Sequence, residues 1–261
     1  MASLTELFRH RSLLFRVMLA ELRSQHASTI LGTAWVFLYP LAFLSVYAFV
    51  FLFILNVRPL GFTPVGYVLL IFCGLVPFLS ASESITAGAS SVLGNMGLLR
   101  NTLFPIELVP VKTVLLSQVP MTVGVVMIIV ATTVSGHTSS TLLLLPPVWV
   151  LFICFLTGLA WTLSVVTVFV RDIIRILPIV ILLLMMVSPI AYTIEMVPSE
   201  LRFVCYVNPL AHFIWAFQDI LVRGKVPAAG VWAGIVAWGV VSPLIGYGLF
   251  MRAKRELIEN L

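Results

Sequence analysis

The sequence predicts an all-α integral membrane protein with six transmembrane helices, an N-terminal amphipathic interface helix and a re-entrant helical hairpin before the last span. Three observations predict it. The chain is 61% hydrophobic and 10% charged over 261 residues, against about 25% charged in a typical soluble domain. Uncharged stretches such as Trp35 to Asn56, Leu142 to Val170 and Val226 to Met251 reach or exceed the roughly 20 residues that cross a hydrocarbon core. The basic residues sit in small groups between the apolar runs, a pattern that orients a membrane protein. A solvated basic face, the mark of nucleic-acid binding, is missing despite a net charge of +5.

The N-terminal segment, 1–28, reads as a helix lying on a membrane surface. At helical spacing Leu4, Leu7, Phe8, Leu14, Phe15, Met18, Leu19 and Leu22 share one arc, and Glu6, Arg9, Arg16 and Arg23 lie opposite. Arg11 falls on the apolar arc. Such a basic amphipathic helix settles in the headgroup region.

Spans follow at 30–56, 65–92, 105–134, 142–170 and 173–194, with the sixth at 229–252. The segment 197–222 is nearly apolar enough for a seventh crossing, but Asn208-Pro209 interrupts it and Glu200, Arg202 and Asp219 flank it. Charge decides. With six crossings and an inside amino terminus, eleven of the 15 basic residues fall on the cytoplasmic side, and Arg58, Arg202, Arg223 and Lys225 fall outside. A seventh crossing would send the basic carboxyl terminus outward, against the positive-inside rule. The segment 197–222 is therefore read as a re-entrant hairpin, whose broken backbone must be satisfied by protein or by a water-filled cavity. Both termini are expected in the cytoplasm. No internal repeat or linker divides the chain, so 1–261 is one transmembrane domain.

Several chemistries have no foothold. Cys73, Cys154 and Cys205 are far apart, and His10, His26, His137 and His212 show no ligand spacing, so no metal is expected. No GxxxxGK[ST] phosphate loop occurs, and the chain is read as no enzyme and as binding no cofactor itself. Gly230 and Gly234 form a GxxxG in the last span, which permits close helix approach. Glu83, Glu107 and Lys112 are ionisable residues at membrane depth, where charge is costly and usually functional. Glu107 and Lys112, five apart, read as interfacial or mutually screened charges. Glu83 stands among Ser80, Ser82, Ser84 and Thr86, and the sequence does not say which way it faces.

Several segments, in order, resemble the membrane subunit of type-2 ABC exporters, in the branch that exports O antigen, capsule or teichoic acid. They are LGTAWVFLYP at 31–40, GLVPF at 74–78, SVLGNMGLLRNTLFPIELVP at 91–110, VFVRDI at 168–173, SPIAY at 188–192 and VNPL at 207–210. The resemblance covers almost the whole chain. It implies a homodimeric permease of the bacterial inner membrane, exporting a lipid-linked polysaccharide and bound to two copies of a cytoplasmic subunit that holds ATP and Mg.

The resemblance also assigns roles. A coupling segment that meets the ATPase maps onto Gly94 to Thr102, where Asn95, Arg100 and Asn101 would meet a polar groove and Met96, Leu98 and Leu99 would fill it; an ordinary loop is the plainer reading. The pathway maps onto spans one and five. In span one Trp35, Tyr39, Phe43, Tyr47 and Phe51 recur every four residues, giving an aromatic stripe on which sugar C–H faces could slide; packing or an interface belt explains it equally. Span five offers Met185, Met186, Ser188 and Tyr192, an adaptable wall, with Pro178 and Pro189 as possible bends. Arg9, Arg11, Arg16 and Arg23 would form a gate for a lipid phosphate, or simply meet anionic headgroups. Two other cargoes stay open: a drug or small lipid carried by the same kind of permease, and proton-coupled secondary transport, which needs buried acids along a path.

Overall fold

The structure, a computed structural model, describes residues 11–26, 31–54, 63–97, 104–135 and 139–259, and all regular elements among them are helical. The first is α1 (Arg11–His26), followed by α2 (Trp35–Phe49), which continues as a π-helical turn over Val50–Ile54. Then come α3 (Pro64–Gly94), α4 (Leu108–Val134), α5 (Leu145–Phe169) with a 3₁₀ lead-in at Ser140–Leu144, and α6 (Ile173–Val187). Helices α7 (Arg202–Val207) and α8 (Pro209–Gln218) precede the long α9 (Ala229–Glu259).

Four of these helical stretches are long and apolar enough to cross a bilayer: 64–94, 108–134, 140–169 and 229–257. The expected first and fifth spans are shorter, each a helix of 15 residues. Helix α6 stops at Val187 rather than 194 because Pro189 disfavours helical backbone at the residue before it; Ser188 is extended, with φ −79° and ψ 137°. Pro189 thus ends the helix, whereas Pro178 lies within it. The last helix outruns its expected end at 252, since Phe250 and Leu257 are fully buried against Val92, Ile106 and Trp161.

Helix α3 is the centre of the bundle. Thr63 caps it by accepting from the Gly66 amide at 3.1 Å, Pro64 opens its first turn, and residues 70–78 are buried without interruption. A helix apolar on every side must be enclosed by others, and α4, α5 and α8 enclose it. Between α5 and α8 the rings of Phe152, Phe155, Phe213 and Phe217 interlock at centroid distances of 5.2–5.8 Å.

Helices α5 and α9 cross at Gly158 and Gly246. A Cβ on either residue would overlap backbone atoms of the opposite helix, so two hydrogens are what lets the chains touch. This is not the expected GxxxG contact. Gly230 meets nothing, and Gly234 makes room for the imidazole of His212.

The segment 197–222 is broken as expected at Asn208, which is extended ahead of Pro209 and accepts from the Leu210 amide at 3.0 Å to cap α8. After α8 a π-helical turn, Asp219–Arg223, ends at Gly224, whose φ of +60° is the left-handed conformation that glycine adopts without cost. The non-helical backbone at 188–192 is satisfied by side chains. Tyr67 donates to the Ala191 carbonyl at 2.7 Å and Gln218 Nε2 to the Pro189 carbonyl at 3.2 Å, while Asn208 Nδ2 holds the side-chain hydroxyl of Ser188 at 2.9 Å. Gln218→Leu leaves buried carbonyls without a donor and is expected to cost about 1–3 kcal/mol, read as a lower melting temperature of the detergent-purified protein.

Candidate functional site

The groups of interest fall in three places along the bundle. At the α1 end, charge is paired across elements distant in sequence. Lys112, 1% exposed, holds Glu21 of α1 at 2.6 Å and donates to Asn95 Oδ1 at 2.7 Å. Glu107, 5% exposed, faces Lys254 of α9 at 3.0 Å. These two residues therefore do not screen each other, as their spacing suggested. Residues five apart on a helix point away from one another, and each finds a partner on a different helix.

Lys112 thus ties three pieces together. Asn95 is the C-terminal cap of α3, and its Nδ2 donates to the Ser91 carbonyl at 2.8 Å. Both ends of this amide make bonds within the chain. Leu14 of α1 is buried with Phe104, Leu108 and Val109, while Phe15 and Leu19 on the same helix are exposed. Of the proposed coupling segment, Gly94 to Gly97 is described, with Gly94 exposed and Met96 half-buried; Leu98, Leu99, Arg100 and Asn101 lie outside the described residues. Arg16 is exposed. Arg9 and the side chains of Arg11 and Arg23 are outside the description.

The second place is a cavity of about 730 Å³ walled by α1, α2, α3 and α4. Trp35, Tyr39 and Pro40 line it from α2, Ser82, Glu83 and Thr86 from α3, and Leu116 and Met121 from α4. Trp35 and Tyr39 are 43% and 51% exposed. Glu83, open in sequence as to its facing, opens here.

The third is a groove of about 360 Å³ between the end of α2 and the end of α6. Val46 and Val50 form one wall; Met185, Met186, Ser188 and Tyr192 form the other. Tyr192 offers a ring face only, because its hydroxyl donates to the Val187 carbonyl.

The expected aromatic stripe is thus divided. Trp35 and Tyr39 line the cavity, and Phe43 packs on the main core while touching Tyr39 at a ring distance of 5.0 Å. The side chains of Tyr47 and Phe51 lie outside the description. A four-residue step drifts around the helix, so one stripe cannot keep a single outlook.

A buried polar cluster that sequence reading passed over stands beside the cavity. Gln118 Nε2 donates to Ser80 at 3.0 Å, the Ser84 and Ser117 hydroxyls meet at 2.6 Å, and Trp149 donates to Gln118 Oε1 at 2.9 Å. Ser80 and Ser84 were visible in the sequence as neighbours of Glu83, but nothing there joined them to Gln118 and Trp149. Every member is paired, and the cluster fixes α3, α4 and α5 relative to one another.

Comparison with known proteins now adds to this geometry. A family model described as ABC-2 type transporter matches residues 12–222. A Klebsiella pneumoniae protein named O-antigen export system permease protein RfbA is 25% identical over 243 residues, 92% of each chain. A Myxococcus xanthus protein of the same name is 24% identical over 259 residues, 98% of each chain.

Proposed function

The chain belongs to the ABC-2 type transporter family, and from that premise we propose that it is the permease subunit of an ATP-driven exporter of a lipid-linked polysaccharide, such as an O antigen, in the bacterial inner membrane. One observation carries the reading. A chain matched over nearly its whole length to relatives named for O-antigen export presents Trp35 and Tyr39 to a cavity that no basic residue lines among those described.

We read six crossings. From Trp35 to Ile54 the first covers about 30 Å at 1.5 Å per residue. The fifth combines α6, about 22 Å long, with the non-helical backbone at 188–192. Residues 197–222 re-enter from the outer face, and both termini lie in the cytoplasm. Two copies form the passage, with α2 and α6 facing it, and the groove at Met185 and Tyr192 continues the cavity outward.

Two ATP-binding subunits hold ATP and Mg and dock on residues 94–101. Asn95 anchors that segment from within while its neighbours make the contact. Arg9, Arg11, Arg16 and Arg23 on the surface helix attract the phosphate of the lipid carrier, an interaction that anionic headgroups share. Movement of the docking segment reaches α1 through Lys112.

Deleting the gene is expected to leave polymer inside the cell and remove it from the surface. Complementation with Tyr39→Ala should lower surface polymer several-fold at unchanged membrane level, since stacking of a sugar on one ring is worth about 1 kcal/mol. Unaltered surface glycan in the deletion strain overturns the proposal.

A further inference from the structure

The Glu83 carboxylate is in an unusual position. It lies 11 residues from the Gly94 end of α3 and 19 from the Pro64 end, hence about 16 Å and 28 Å from the two ends. A charge so deep ordinarily finds a partner. Glu83 makes no hydrogen bond or ion pair with any described residue, yet its side chain is open to the cavity.

The surroundings give the chemistry. None of the described residues that line the cavity is basic. Lys112 is committed to Glu21 and Asn95, and Lys254 to Glu107. The Thr86 hydroxyl donates to the Ser82 carbonyl at 2.9 Å, so it offers a ligand only acceptor lone pairs. The described wall therefore combines the Trp35 and Tyr39 rings, each with one polar hydrogen, serine and threonine hydroxyls, and an acid that needs hydrogen-bond donors. A chain of sugar hydroxyls supplies the donors it wants, and amino groups do so better. Phosphate or carboxylate groups would meet a like charge, with no cation among the described lining residues to offset it.

We propose that Glu83 is a specificity-determining residue, making this cavity select sugar chains that are neutral or amino-bearing and reject polyanionic ones. The proposal rests on the reading of the chain as a polysaccharide exporter. Rejection works by a repulsive element, which discriminates without strengthening the grip on the accepted polymer. A sliding substrate needs that weak grip.

The test uses the permease with its ATPase partner in proteoliposomes and two probes on the same lipid anchor: an oligomannan and a poly(glycerol phosphate) of matched length. Translocated polymer is measured by protection from added hydrolase. Wild type is expected to move the mannan at least about tenfold faster, as a like-charge penalty of 1.4 kcal/mol would give. Glu83→Gln, nearly isosteric, should bring the ratio to within about threefold, and Glu83→Lys should invert it. Equal transport of both probes by wild type, or an unchanged ratio in both variants, overturns the selectivity and leaves polysaccharide export standing. Transport of neither probe while ATP is hydrolysed overturns the export reading and the selectivity with it.

Discussion

Gly246→Val is expected to all but abolish accumulation of folded protein, whereas Gly248→Val, two residues along the same helix, is expected to be tolerated. The first Cβ overlaps the Gly158 carbonyl oxygen and lies 3.0 Å from its Cα; the second meets nothing within 4 Å. Backbone cannot swing aside as a side chain can, so α5 and α9 must part. Parting them breaks the Ser242 hydroxyl's 2.9 Å bond to the Phe155 carbonyl and the Trp161–Tyr247 ring contact at 5.3 Å. Overpacking alone costs about 1–3 kcal/mol, and the lost contacts add to it, against a total stability of about 5–15 kcal/mol. Fluorescence-detected size exclusion of tagged variants reads the outcome. Equal monodisperse peaks for the two variants would refute the crossing.

Lys112→Met is expected to release α1 from the bundle and to uncouple export from ATP hydrolysis. Methionine retains most of the buried stem, so the substitution removes charge with little loss of packing. Glu21 and Asn95 then lose their shared partner. Breaking a buried pair costs about 3–5 kcal/mol, and the figure here is nearer about 2–3 because Glu21 is one-third exposed and can regain water. The double variant Glu21→Lys, Lys112→Glu should recover part of that loss. A double-mutant cycle on melting temperature, with ATPase and export rates measured in parallel, separates stability from coupling. A single variant with unchanged melting and unchanged export would remove Lys112 from the proposed route of transmission.

The charges at the start of α4 were only half readable from sequence. Lys112 and Glu107 were visible as charges at membrane depth, but their partners, Glu21 and Lys254, lie 91 and 147 residues away in the chain. Pairing at that separation follows from how the helices pack, which periodicity within one helix does not encode. Gln218 is a similar case. It is an amide within an apolar segment, and only the fold showed that it serves the carbonyls after α6. The break at Asn208-Pro209, by contrast, is a local steric fact and was fully readable.

By itself the sequence determined that this chain is a helical membrane protein and where its apolar segments run. Those follow from hydrophobic length, a property that each segment carries alone. Tertiary structure alone decided that the aromatic residues of α2 divide between cavity and core, that Glu83 opens into a cavity lined by no basic residue among those described, and that glycine seals α5 to α9. Each of these is a relation between helices, and in an apolar solvent helices choose their neighbours by shape and by a few polar pairs rather than by hydrophobicity.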